Sequence, residues 1–261
     1  MHRPLYDQLV PYYELVEGRD WAREIKLIAS ILRRHGSQTV VDLGCGTGYH
    51  DRKLTELGFD TIGVDISHPN ISFARRKAKE ENVRPKFVVG SYYNYRPSRL
   101  IDAALCLNWS IPTRDGEIHR FLANARSMLR MGGLLIIDYE LVSQIVWKDV
   151  GKPIINSWDL AKTLIVRVSV GRMILNVLYS RDVYILFPKH VKPKAPNETA
   201  RYTSSLKSGS AKVFADTSYV RFFSALEVKR FAKASGFRVI GNYMLPRNEY
   251  RRSYAVLQKV S

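Results

Sequence analysis

The chain has 261 residues, with 41 Lys and Arg against 24 Asp and Glu, a net charge of +17 and 46% hydrophobic residues. That is enough apolar material for one large domain, or one domain with an insertion. It has two cysteines, Cys45 and Cys106, no Cys-x-x-Cys or paired-His spacing, no apolar leader and no run of 18 uncharged apolar residues. This pattern argues against a disulfide scaffold, a metal site and a membrane span, and points to a reducing, cytoplasmic setting.

Residues 1–19 read as irregular and aromatic, with Tyr6, Tyr12 and Tyr13 beside Pro4 and Pro11. Asp20 is placed to cap a helix running to about Arg34, because Trp21, Ile25, Ile28 and Leu32 recur at helical spacing before Gly36. A strand is expected at 39–43, a helix at 48–57 ended by Gly58, and a strand at 60–65. Pro69 opens the next helix, whose run Ala74 to Glu81 reads as a solvated, helix-favouring face. Phe87–Val89 and Ile101–Leu107 read as strands, 115–130 as a helix with Phe121, Leu122, Ala125 and Leu129 on one stripe, and Met131-Gly132-Gly133 as a turn. Leu134–Asp138 reads as the fifth strand. Strands alternating with helices imply a doubly wound parallel sheet.

The period then changes. Thr163–Val170, Met173–Leu186 and Lys212–Phe223 are rich in β-branched and aromatic residues, with no helical pattern between them. They are expected to pair antiparallel through turns near Gly171-Arg172 and Ser180-Arg181. Pro188 to Pro196 is a basic, proline-rich loop. Ser224 is placed to cap a last helix at about 225–235, followed by strands at about 237–244 and 252–259. The expected fold class is therefore α/β: a doubly wound, mostly parallel seven-stranded sheet from residues 1–138 and 224–261. Residues 139–223 form an antiparallel β-rich insertion after strand five that covers the active site. The charge is uneven: residues 1–138 carry 20 basic and 16 acidic side chains, 139–225 carry 13 and 6, and 226–261 carry 8 and 2.

The chemistry concentrates at Val40-Val41-Asp42-Leu43-Gly44-Cys45-Gly46-Thr47-Gly48-Tyr49-His50. An apolar strand runs into an acid and then into glycines at alternate positions. Glycine reaches positive φ and lets backbone approach a ligand, and the following helix points free N–H groups into the crevice. The spacing is GxGxG, with Tyr49 where a dinucleotide turn has its third glycine. Asp42 would repel a pyrophosphate and welcome an ammonium group. A nucleoside with an amino-acid tail satisfies both ends, and S-adenosylmethionine is such a molecule. Asp65 ends the next strand about 20 residues on, where an acid meets ribose hydroxyls.

With these residues in register, the chain resembles the class I methyltransferases. The stretch Tyr13-Glu14-Leu15-Val16-Glu17-Gly18-Arg19-Asp20-Trp21-Ala22-Arg23-Glu24, with Gly46 to His50 and the strand-rich insertion, is similar to small-molecule N-methyltransferases acting on amino sugars. Glycine N-methyltransferase is a more distant likeness. The resemblance implies S-adenosylmethionine as cofactor, held by Tyr13, Asp42, Gly44, Cys45, Gly46, Gly48, Asp65, Ile66, Ser91, Tyr92 and Asn108. Ser91 stands where the family commonly has an acid against the adenine. Tyr13, Asn108, Trp109 and Tyr139 are the candidates for catalytic or acceptor-pocket positions. The chain departs from the amino-sugar enzymes after strand four, where it has Pro112-Thr113 in place of a histidine. It also lacks Asn/Asp-Pro-Pro-aromatic and Pro-Cys, two signatures of base methylation. A small-molecule acceptor is the first reading. An RNA acceptor gripped by the basic second half is the alternative, and a non-catalytic cofactor-binding module is the third.

Overall fold

The computed structural model describes residues 9–16, 21–108, 110–145, 150–159, 163–174, 177–188, 212–247 and 250–260. Its contacts divide the chain into two compact units, one of Tyr6–Ile145 with Val220–Ser261 and one containing Val146–Tyr219. Glu140 and Leu141 pair in parallel with Phe222 and Phe223, which keeps the ends of both strands with the larger unit.

In the larger unit the strands are β1 (Thr39–Leu43), β2 (Asp60–Asp65), β3 (Lys86–Val89), β4 (Ile101–Cys106), β5 (Leu129–Leu141), β10 (Phe237–Arg247) and β11 (Tyr250–Lys259). They line up as β3-β2-β1-β4-β5-β11-β10; the first five are parallel, and β11 and β10 run antiparallel to their neighbours. The order reverses between β1 and β4. At such a switch point the loops leaving two adjacent strands diverge, and a crevice opens beyond their carboxyl ends.

Side-chain alternation splits the core. Val40, Ala103, Leu105, Leu134 and Ile136 pack with Ile25, Ile28 and Leu32 of α2 (Trp21–Arg34). Val41, Leu43, Ala104, Cys106, Leu135 and Ile137 pack on the other face, with Ile118, Phe121 and Leu122 of α5 (Asp115–Met128) and Val228 and Phe231 of α6 (Ala225–Ala234). The remaining helices are the four-residue α1 (Tyr13–Val16), α3 (Tyr49–Glu56) and α4 (His68–Glu80). Ser67 caps α4 by accepting from Asn70 N at 3.2 Å.

Ser224 begins α6 with a reciprocal cap: Glu227 N donates to its Oγ at 3.1 Å, and Glu227 Oε2 accepts from Ser224 N at 2.8 Å. Ser224→Ala is expected to cost about 1 kcal/mol. In calorimetry that is a fall in melting temperature of about 3 °C.

The smaller unit holds β6 (Pro153–Asp159), β7 (Thr163–Ile174), β8 (Val177–Pro188) and most of β9 (Lys212–Phe223). β6, β7 and β8 pair antiparallel. The turns expected at Gly171-Arg172 and Ser180-Arg181 are absent, because β7 and β8 run straight through them with Gly171 opposite Ser180. Gly171 is there for packing: a Cβ would lie 2.7 Å from Leu178 Cδ1. β6 is an additional strand that the sequence pattern hides, because it starts on a proline and carries Asn156 and Ser157. The expected turn at 131–133 is instead a kink inside β5. Gly132 has φ +72, and the register with β4 shifts between Ile101 and Ala103. Asp20, the expected helix cap, and Lys189–Pro196 of the basic loop lie outside the described residues.

Candidate active site

β1 delivers the chain into a turn with three left-handed glycines: Gly44 at φ +89, Gly46 at +55 and Gly48 at +71. Gly44 N and Cys45 N both donate to Val64 O, at 2.8 and 3.1 Å, which ties the turn to β2. Each glycine answers a different demand. A Cβ on Gly44 would lie 2.8 Å from Ser110 Oγ, and one on Gly48 would overlap the Phe87 ring. Among the described residues nothing lies within 4 Å of a Cβ on Gly46, so this glycine faces an open side of the crevice. The Cys45 thiol is buried, which pushes its pKa up, and its Sγ lies 3.8 Å from Gly46 O.

Two acids flank the turn. Asp65 accepts Gly46 N at 2.9 Å on one oxygen and Ser67 N at 2.7 Å on the other, so the end of β2 shapes the turn directly. Burial raises its pKa, and those backbone bonds oppose the rise. The next residue, Ile66, is 76% exposed, an apolar side chain left uncovered beside the acid. Asp42 is 3% exposed, and its Oδ1 has no hydrogen-bond partner among the described residues. Burial pushes its pKa up to about 7; His50 opposes the rise, while Asp65, Glu24 and Asp138 add to it. A buried carboxylate oxygen without a donor is costly unless something supplies one.

Across the switch point, the residues after β4 form the other wall. Asn108 sits at φ +65, a conformation asparagine tolerates better than most residues. Its N donates to Asp138 Oδ2 at 2.8 Å, and its Oδ1 accepts from Arg252 Nη1 at 2.7 Å. Arg252 Nη1 also lies 2.8 Å from Asp138 Oδ2, and both side chains are buried. Asn108 Nδ2 is left without a partner among the described residues. Ser110 Oγ donates to Gly44 O at 3.5 Å, which links the two loops. Behind them Tyr254 OH donates to Glu24 Oε1 at 3.0 Å, and Glu24 Oε2 lies 3.5 Å from His50 Nε2.

The other expected site residues fall as follows. Ser91 Oγ accepts Tyr93 N at 3.3 Å, and its carbonyl accepts Asn94 N and Tyr95 N, so it starts a turn after β3. Tyr92 meets Tyr93 and Phe121 edge to face, with ring centroids at 4.6 and 5.4 Å, and burial raises its hydroxyl pKa. Tyr13 is half-buried on α1. Tyr139 is buried, and its OH donates to Asn242 Oδ1 at 3.4 Å. Trp109 lies outside the described residues. The structure adds Glu24, His50, Ser110 and Arg252 to the polar groups around the crevice. Of these, Glu24 and His50 stand in the stretches that carry the resemblance and Ser110 follows directly on an apolar strand, whereas Arg252 has no signal in the sequence.

The family model described as a methyltransferase domain matches residues 40–133. The chain is similar to glycine N-methyltransferase of Mus musculus, 32% identical over 155 residues, 52% of this chain and 53% of that protein. It thus spans about half the length of the curated relatives it matches. The fold is similar to that of an S-adenosylmethionine-dependent methyltransferase from Clostridium acetobutylicum, with a TM-score of 0.76 at 13% identity, covering 96% of each chain. It is also similar to the sugar N-methyltransferase KedS8 from Streptoalloteichus sp., with a TM-score of 0.73 at 21% identity, covering 95% of this chain and 93% of that one. Residues 40–133 thus match the methyltransferase-domain model, and the sheet around them has the Rossmann-like fold of those solved structures.

Proposed function

We propose that the protein is an S-adenosylmethionine-dependent methyltransferase acting on a small-molecule nitrogen or oxygen. The observation that carries this reading is the pairing of Asp42, a buried carboxylate with an unpartnered oxygen, with an open, left-handed Gly46 beside it. The cofactor's amino-acid tail fits this pair: Asp42 would take the ammonium, and the turn of Gly44, Cys45, Gly46 and Gly48 the carboxylate. Asp65 would take the ribose hydroxyls, Ile66 would lie against the nucleoside, and Ser91 and Tyr92 would flank the adenine. When bound, the cofactor supplies a methyl group already activated on a sulfonium, so the protein's task is alignment and exclusion of water.

Asn108, its amide oxygen held by Arg252, offers Nδ2 as a donor to an acceptor molecule's oxygen. With Tyr13, Trp109 and Tyr139 it makes up the proposed acceptor side. A small acceptor is supported by the likeness to glycine N-methyltransferase and by a fold shared with a sugar N-methyltransferase. An amine acceptor must lose its proton before transfer, and burial favours that loss.

The test is incubation with radiolabelled methyl donor and fractionated cell extract. Label entering low-molecular-weight amines or alcohols supports the reading. Label confined to RNA or protein, or no transfer with any fraction, overturns it.

Asp42 also predicts a pH dependence. Its carboxyl is held up to about 7 from 3.8, so between those values the folded chain keeps a proton that the unfolded chain releases. Stability without ligand therefore falls as pH rises through that window. Cofactor affinity moves the other way, because the ammonium needs Asp42 ionised. The dissociation constant should tighten from pH 6 to 8 and lose most of that dependence in Asp42→Asn; calorimetry across the range reads both.

A further inference from the structure

Among the described residues Arg52 is the largest fully buried side chain, and it sits directly behind the glycine turn. Its Nη1 donates to the carbonyl of Thr47, between Gly46 and Gly48, at 2.6 Å. Its Nε lies 3.1 Å from Oε1 of Glu81, the residue that caps the C-terminus of α4. Its Nη2 donates to both oxygens of Glu14, at 2.9 and 3.1 Å. Glu14 belongs to the N-terminal segment 9–16, which Leu9 and Val10 anchor by burial and which ends in the four-residue α1. A helix this short does not persist without tertiary contacts. One guanidinium thus joins the glycine turn to the short helix α1.

We propose that the Glu14–Arg52 ion pair couples docking of residues 9–16 to the shape of the glycine turn, so that docking and cofactor binding reinforce each other. The inference rests on the cofactor reading above and assigns Glu14 and Arg52 as positioning residues. The physical reason lies in the charge count. A guanidinium cannot shed its proton, so a buried one must be matched by acceptors. With the segment docked, Arg52 has two carboxylates and the Thr47 carbonyl. With it undocked, Arg52 keeps Glu81 and Thr47 alone, and its pull on the turn is redistributed. Coupling of this kind is reciprocal: whatever factor docking adds to cofactor affinity, the cofactor adds to docking. Because Glu81 stays in place, neutralising Glu14 leaves Arg52 paired and the core able to fold.

The experiment uses S-adenosylhomocysteine as the probe. In the unaltered protein, saturation with it should slow amide exchange across residues 9–16, read by hydrogen–deuterium mass spectrometry. Glu14→Gln should weaken its binding by on the order of tenfold in calorimetry. The same variant should keep a melting temperature close to the unaltered protein's without ligand, yet gain less on adding it. Two results would overturn the coupling: exchange across 9–16 that ignores the ligand in the unaltered protein, or Glu14→Gln binding within twofold of it. An unaltered protein that binds no S-adenosylhomocysteine at all would instead remove the cofactor reading, and this inference with it.

Discussion

Gly46→Val should abolish binding of S-adenosylhomocysteine while leaving the protein folded. Gly46 sits at φ +55, where a β-branched residue is strained by roughly 1–2 kcal/mol. Its Cβ meets no atom of the described residues within 4 Å, so the side chain would project into the space the ligand is to occupy. The backbone N–H that Asp65 accepts at 2.9 Å would shift with it. Loss of affinity of at least about 100-fold is expected, about 2.8 kcal/mol at 1.4 kcal/mol per tenfold. Calorimetry reads the affinity, and far-ultraviolet circular dichroism checks the fold. Asp65→Ala should lose affinity as well, since it removes both the ribose acceptor and the tie to Gly46. Undiminished binding in both variants would refute the site.

The second large effect concerns stability. Asp138→Ala should destabilise the protein by about 3 kcal/mol, the lower end of the 3–5 kcal/mol seen when one partner of a buried ion pair is removed. Asp138 Oδ2 accepts Asn108 N at 2.8 Å and lies 2.8 Å from Arg252 Nη1, so its loss strands a buried cation and a buried amide. The cost stays near the lower bound because Asn108 Oδ1 still accepts from Arg252 at 2.7 Å and Glu140 lies 4.0 Å from its Nε. Urea titration reads the difference. A loss under about 1 kcal/mol would mean the Asp138–Arg252 pair is not the anchor of the wall after β4.

What could be read in the sequence was local. The acid, the alternate glycines and the second acid lie within 24 positions of one another, and their spacing alone describes a strand, a turn and a strand. The parallel sheet followed from periodicity for the same reason. What could not be read arrives from far along the chain. Arg252 reaches Asn108 across 144 positions, and Tyr254 reaches Glu24 across 230. A strand read in isolation gives no clue to which residue its inward face will meet. His50 shows the same limit: its partner Glu24 comes from the preceding helix, and the two meet only once α2 and α3 pack. Gly171 shows the opposite case: beside Arg172 it has the composition of a turn, whereas in the strand it lets Leu178 lie close. A glycine whose φ is ordinary and one whose φ is positive are identical in a sequence.

The proposed activity requires the crevice beyond β1 to seat the methyl donor's amino-acid tail. A crystal structure with S-adenosylhomocysteine tests this most directly. The ligand's amine is expected within hydrogen-bond distance of Asp42 Oδ1, its carboxylate on the amides of the glycine turn and its ribose hydroxyls on Asp65. Ligand density elsewhere on the molecule, with Asp42 Oδ1 still unpartnered and the turn bare, would contradict it.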